Sequence, residues 1–163
     1  MAGFAIAEIS VKFLELKVPP VAVVIFTGFV MWLLARPMPS WNRLSLVRVS
    51  FAILFAVAGI AISALGVVEF RRQRTTVNPM KPDTASTLVA EGVYTVTRNP
   101  MYLGFLLLLV SWAIVLTDVW TNLPLLAFVL FMNRFQILPE ERALAARFGL
   151  EFTDYCVRVR RWI

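Results

Sequence analysis

The sequence predicts an all-α integral membrane protein with about four transmembrane helices, an N-terminal amphipathic helix and a C-terminal cytosolic or interfacial helical tail. Three observations carry that prediction. Of 163 residues, 60% are apolar and 16% are charged, against about 25% charged in soluble domains. A single domain of this length cannot hide such a surplus in its own core, so part of it faces lipid. Long uncharged runs, two of them eighteen and twenty residues, separate the polar segments. The net charge of +6 comes from arginines that flank apolar runs instead of lining one polar face. That placement suits anionic lipid headgroups and argues against nucleic acid.

In residues 1–17, Phe4, Ile6, Ile9, Phe13, Leu14 and Leu16 recur at roughly helical spacing among Glu8, Lys12, Glu15 and Lys17. That is the pattern of an amphipathic helix on a membrane surface. With no basic leader ahead of an apolar core, no cleavable signal peptide is expected. Residues 18–35 hold no charge and are just long enough to cross hydrocarbon. Pro19 and Pro20 stand at the start of this run, Trp32 and Trp41 bracket its far end, and Arg36, Pro37, Pro39 and Ser40 stop it. Residues 49–68 form a second uncharged span, and its Ala58, Gly59, Ala61, Ser63, Ala64 and Gly66 predict close packing against a neighbouring helix.

Residues 71–99 are polar and rich in helix breakers. Loops of this length are commonly functional or disordered, and this one reads as a lid or pocket wall. Residues 100–117 give a third span, 118–122 a short turn, and 123–138 a fourth helix returning beside it. Arg134 on that helix either snorkels to the interface or faces a polar pocket. Residues 139–163 are soluble in character: Glu140 and Glu141 begin a helix, Gly149 ends it, and a basic segment follows. The basic segment is expected to lie along the membrane surface, with Arg158, Arg160 and Arg161 toward headgroups. With four spans, the N-terminus, the 71–99 segment and the tail share the side with most cations, which puts both termini in the cytoplasm.

Cys156 is the only cysteine and there is no histidine. An intramolecular disulfide, a thiolate metal cluster and any Ser-His or Cys-His nucleophile are therefore excluded, and no metal site is expected. The most distinctive stretch is residues 92–104, where the polar segment meets the third span. Pro100 suits a first helical position, so Arg98 and Asn99 stand at a helix N-terminus, beside unpaired N–H groups that favour an anion. An interfacial loop whose arginine meets headgroups fits the same residues.

Gly92, Tyr94, Arg98, Asn99, Pro100, Tyr102 and Gly104, followed by Glu140, Glu141, Leu144, Phe148, Gly149, Tyr155, Val159 and Trp162, form a more specific pattern. It resembles the isoprenylcysteine carboxyl methyltransferase family of integral membrane enzymes, which is related to the phospholipid N-methyltransferases. The family's pattern is roughly Gly-x-Tyr-x-x-x-Arg-His-Pro-x-Tyr-x-Gly, a helical hairpin, then Glu-Glu-x-x-Leu-x-x-x-Phe-Gly and a basic tail. The likeness covers about residues 76–163. Asn99 stands where many members have histidine, so a proton-carrying role at that position is lost, and Phe152 replaces a frequent tyrosine.

The resemblance implies S-adenosylmethionine as cofactor, with S-adenosylhomocysteine as product. Tyr94, Arg98, Asn99, Pro100, Tyr102, Leu103 and Gly104 would line the cofactor pocket and Glu140 and Glu141 would complete it. Arg98, Glu140 and Glu141 are the candidate catalytic residues. Methyl transfer is an in-line displacement that needs alignment and desolvation more than acid–base work. A glutamate suits the cofactor's ammonium, Arg98 its carboxylate, a tyrosine face its sulfonium, and Gly104 a close approach. The acceptor is expected to be lipophilic and membrane-embedded, most like an isoprenylcysteine carboxylate, which is already ionised at neutral pH. A phospholipid amine, or another lipophilic amine or thiol, would need Glu140 or Glu141 as proton acceptor. Each assignment has a plainer counterpart: Glu140 and Glu141 as ordinary first-turn acids, Tyr102 and Gly104 as helix-packing residues, Tyr94, Phe148, Tyr155 and Trp162 as interfacial anchors. A non-catalytic scaffold or small transporter is the alternative of another class, though the spans hold few polar groups for transport.

Overall fold

The computed structural model describes residues 14–35, 45–73, 80 and 82–163. All regular structure among them is helical: α1 (Pro20–Ala35), α2 (Leu46–Arg72), α3 (Pro100–Leu116), α4 (Asn122–Phe131), α5 (Leu138–Phe148) and α6 (Leu150–Arg158). Short 3-10 turns occupy Pro82–Thr84, Gly92–Thr95 and Val119–Thr121, and a π-helical stretch, Met132–Ile137, joins α4 to α5. Of the amphipathic helix expected over residues 1–17, all but 14–17 lies outside the described residues, and those four form a turn.

Two helical runs are long and apolar enough to cross a membrane: α2, with 27 residues, and Val119–Phe148, with 30. The helices α1 and α3 are apolar but shorter, at 16 and 17 residues. Phe51, Ile53, Leu54, Val57 and Ile60 of α2 are each more than half exposed, an outward apolar surface that suits lipid better than water.

The helices α2 and α3 run antiparallel at close range, and small residues set the distance. A Cβ added to Gly59 would lie 2.7 Å from the carbonyl oxygen of Gly104. Ser63 Oγ donates to Met101 O at 3.3 Å and Ser111 Oγ to Ala52 O at 2.7 Å, so both hydroxyls are satisfied across the interface instead of facing hydrocarbon. The neighbour foreseen for the small residues of the second span is thus α3. On its other side α3 meets α1, where Trp112 Nε1 donates to Gly28 O at 3.1 Å. Met31, Leu109, Phe128, Met132 and Ile137 form the core between α1, α3 and the α4–α5 rod.

The sequence suggested that a new helix begins at Pro139. Instead the rod continues through Pro139, and the reason lies one turn earlier. Proline has no N–H to give the carbonyl four residues before it, which here is Phe135 O. The N–H of Leu16 donates to that carbonyl at 3.0 Å. Gln136 Nε2 donates to Val18 O at 2.5 Å, and Glu15 pairs with both Arg134 (2.6 Å) and Arg142. Residues 15–18 therefore strap the π stretch, a wider turn that directly precedes the helical turn bearing Glu140 and Glu141.

Candidate functional site

Residues 97–99 bind the C-terminal segment before they start α3. Pro100 occupies the first helical position, yet the Asn99 side chain makes no capping bond to the helix. Its Nδ2 donates to Arg161 O at 2.9 Å, and Thr97 Oγ1 donates to the same oxygen at 3.3 Å. The N–H of Arg98 donates to Arg160 O at 3.0 Å. On the inner face of α6, Phe152 and Tyr155, with Val159 just beyond, pack on Val89 and Tyr94, with Phe70, Leu144 and Phe148 around them. Tyr155 Oη donates to Tyr94 O at 2.8 Å, and the Tyr94 ring stands edge-on to Phe70 at 5.5 Å. The apolar side of the tail is therefore engaged within the protein, where the sequence alone suggested a membrane surface. Burial pushes the phenols of Tyr94 and Tyr155 well above their ordinary range, so both remain neutral.

These contacts enclose a cavity of about 830 Å³, counting its open mouth, between the end of α2, residues 82–94, the start of α3, α5 and α6. Tyr94, Arg98, Asn99, Pro100, Tyr102, Glu140 and Glu141 all line it. Leu103 and Gly104 are not among its lining residues, because each helical residue turns about 100° from the last and Gly104 lies against Ser63 and Gly59 of α2. The lining also includes Phe70, Ala85, Thr87, Leu88, Val89, Met101, Leu144 and Phe152. Of these, Phe70 and residues 85–89 carried no signal in the sequence beyond lying in the polar loop or at its edge.

The charges in the wall are arranged unequally. Glu141 is shared by two arginines: Arg161 forks onto it, Nη2 to Oε2 at 2.6 Å and Nε to Oε1 at 3.1 Å, while Arg98 Nη1 reaches Oε1 at 3.2 Å. The remaining contacts of Arg98 are poor. Its Nη1 also lies 2.5 Å from Cys156 Sγ, and its Nε is buried with no partner among the described residues, a state that costs about 1–3 kcal/mol for an ordinary donor. Glu140 accepts a hydrogen bond from Tyr102 Oη, and no cation among the described residues pairs with it. One side of the cavity thus holds Arg98 and Glu141, with Arg161 behind them, and the other a carboxylate with no cation beside it among the described residues. A ligand bearing both a carboxylate and a cationic group complements that arrangement.

Comparison with known proteins bears on what the site does. An uncharacterised protein of Haemophilus influenzae is 41% identical over 63 residues, which are 39% of this chain and all of that protein. Protein-S-isoprenylcysteine O-methyltransferase B of Arabidopsis thaliana is 27% identical over 113 residues, 68% of this chain and 56% of the plant enzyme. The match therefore spans little more than half of that enzyme's length. No solved structure matches. The sequence model of the phospholipid methyltransferase family matches residues 47–151, a span that runs from the start of α2 to the start of α6 and includes the paired glutamates and the residues around Arg98. On that match the chain belongs to the phospholipid methyltransferase family.

Proposed function

We propose that the protein is an S-adenosylmethionine-dependent methyltransferase acting on a lipophilic acceptor held in the membrane. The observation that carries this reading is the opposed pair of groups in the cavity: among the described residues, the buried Arg98 Nε has no partner and Glu140 has no cation beside it. When bound, the cofactor supplies a methyl group on a sulfonium, ready for in-line displacement. Arg98 would hold its carboxylate and Glu140 its ammonium, and the rings of Tyr94 and Tyr102 suit the cationic sulfur. Glu141 is engaged by Arg161, so Glu140 is the better ligand for the ammonium. The apolar lining of Phe70, Val89, Leu144 and Phe152 excludes water and strengthens these charges.

On this reading four helical spans cross the membrane, α1 and α3 joining the two longer runs, with both termini and the cavity on the cytoplasmic side. Asn99 is committed to the tail, and the chain has no histidine, so no imidazole serves the acceptor as base. A carboxylate acceptor, such as that of an isoprenylcysteine, needs none. The likeness to the plant isoprenylcysteine O-methyltransferase supports that choice. The second reading is a lipid amine, which the name of the family favours and for which Glu140 is the proton acceptor.

The test is incubation of the purified full chain in lipid nanodiscs with methyl-labelled cofactor and fractionated membrane lipids, with calorimetric cofactor binding in parallel. Label released by mild base as methanol identifies a methyl ester, and base-stable label an N-methyl group. No saturable binding and no label transfer in the wild type overturn the reading and leave a non-catalytic membrane protein, whereas binding unchanged in both Arg98→Ala and Glu140→Gln overturns the assignment of the site.

A further inference from the structure

Arg161 lies outside the cavity lining, yet its side chain engages Glu141 and its carbonyl accepts from Asn99, both of which line the cavity. We propose that Arg161 is a positioning residue: by engaging Glu141 through two of its nitrogens, it keeps the Arg98 guanidinium available to a ligand's carboxylate. The inference rests on the cofactor site proposed above.

A carboxylate is held best by one guanidinium through two parallel hydrogen bonds. Two arginines compete here for one carboxylate, and Arg161 has the fork, at 2.6 and 3.1 Å. Arg98 is left with a single 3.2 Å contact to an oxygen that Arg161 already uses. Its Nε is buried with no partner among the described residues, so Arg98 retains bonding capacity that Glu141 does not consume. The backbone beneath Arg161 is fixed by the residues flanking Arg98, since Thr97 Oγ1 and Asn99 Nδ2 both donate to Arg161 O. Asn99 therefore acts here on the tail, and no proton transfer at this position is needed to explain its burial.

A definite sign follows. If the Arg161 side chain is removed, Glu141 Oε2 is released, and Arg98 can close on Glu141 as a fork. The group meant for the ligand is then sequestered. Removing the competitor as well should set it free again.

The experiment measures binding to the full chain in nanodiscs of two probes: S-adenosylhomocysteine, and 5′-methylthioadenosine, which has the same nucleoside thioether but lacks the amino-acid group. Arg161→Met is expected to weaken S-adenosylhomocysteine about tenfold or more and to leave 5′-methylthioadenosine within about twofold. The double variant Arg161→Met with Glu141→Gln is expected to recover most of that loss. If Arg161→Met does not fold, Arg161→Lys, which keeps the charge but cannot fork, should show the same split at smaller size. Equal losses for both probes, or a double variant weaker than the single one, overturn the positioning role and leave the cofactor reading standing. A wild type that binds neither probe overturns the cofactor reading, and the positioning role falls with it.

Discussion

Gly104 of α3 faces Ser63 of α2 with no room for a side chain: a Cβ added to Gly104 would lie 2.0 Å from Ser63 Oγ and 2.4 Å from Gly59 O. Gly104→Ala is therefore expected to force the two helices apart and to cost about 1–3 kcal/mol, read as a fall in unfolding temperature in detergent. Adding Ser63→Ala should restore only part of the loss, because the clash with the Gly59 backbone remains. Gly28→Ala is the control, since its Cβ would meet nothing closer than 3.8 Å. Equal stability in the Gly104 and Gly28 variants would show that the helices are free to separate.

Tyr102 and Glu140 meet across the floor of the cavity, the phenol donating to the carboxylate. Glu140→Gln keeps an acceptor for Tyr102 but removes the carboxyl group that would pair with the ammonium. It is expected to retain the fold and to lose about tenfold or more in affinity for S-adenosylhomocysteine. Tyr102→Phe should lose less, because that carboxyl group stays. Calorimetry ranks the two, and a greater loss in Tyr102→Phe would move the anionic subsite away from Glu140.

The wall charges were legible in the sequence because their spacing is local: Arg98 stands two residues before the start of a helix, and Glu140 and Glu141 stand at the end of an apolar run. Their division of labour was not legible. It depends on Arg161, which reads in the sequence as one cation of a solvated basic run and takes its role only from the fold that brings it within 2.6 Å of Glu141. Gly104 shows the same limit. A glycine beside a candidate site reads as room for a ligand, whereas here α2 occupies that room. The π stretch left no mark either, because its compensation at Phe135 O comes from Leu16, more than a hundred residues away in the chain.

Tyr155 ties the tail to the loop through Tyr94 O at 2.8 Å. Tyr155→Phe keeps the ring packing with Phe152 and Val89 but leaves a buried carbonyl without its donor, a change worth about 1–3 kcal/mol. Faster proteolysis or hydrogen exchange within residues 88–97 and 150–158, with α2 and α3 unchanged, is the expected signature. Uniform exchange across the whole chain would show that the tail does not open separately from the rest.

Glu15 joins the N-terminal strap to the π stretch and α5, and that joint is sensitive to pH. Burial alone would raise its pKa, but hydrogen bonds and charges from Arg134 and Arg142 outweigh burial and hold it below the usual carboxylate range. A carboxylate depressed in the folded state contributes its stability above the unfolded pKa and loses it as pH falls through the folded value. The arginines are partly exposed, at 39% and 56%, so each pair is worth at most about 1 kcal/mol and weakens with salt. Between about pH 7 and about pH 3, the wild type should therefore lose more thermal stability than Glu15→Gln, and the two curves should converge at the acid end. High salt should narrow the gap near neutrality. Parallel curves throughout would mean that Leu16 and Gln136 hold the strap without help from Glu15.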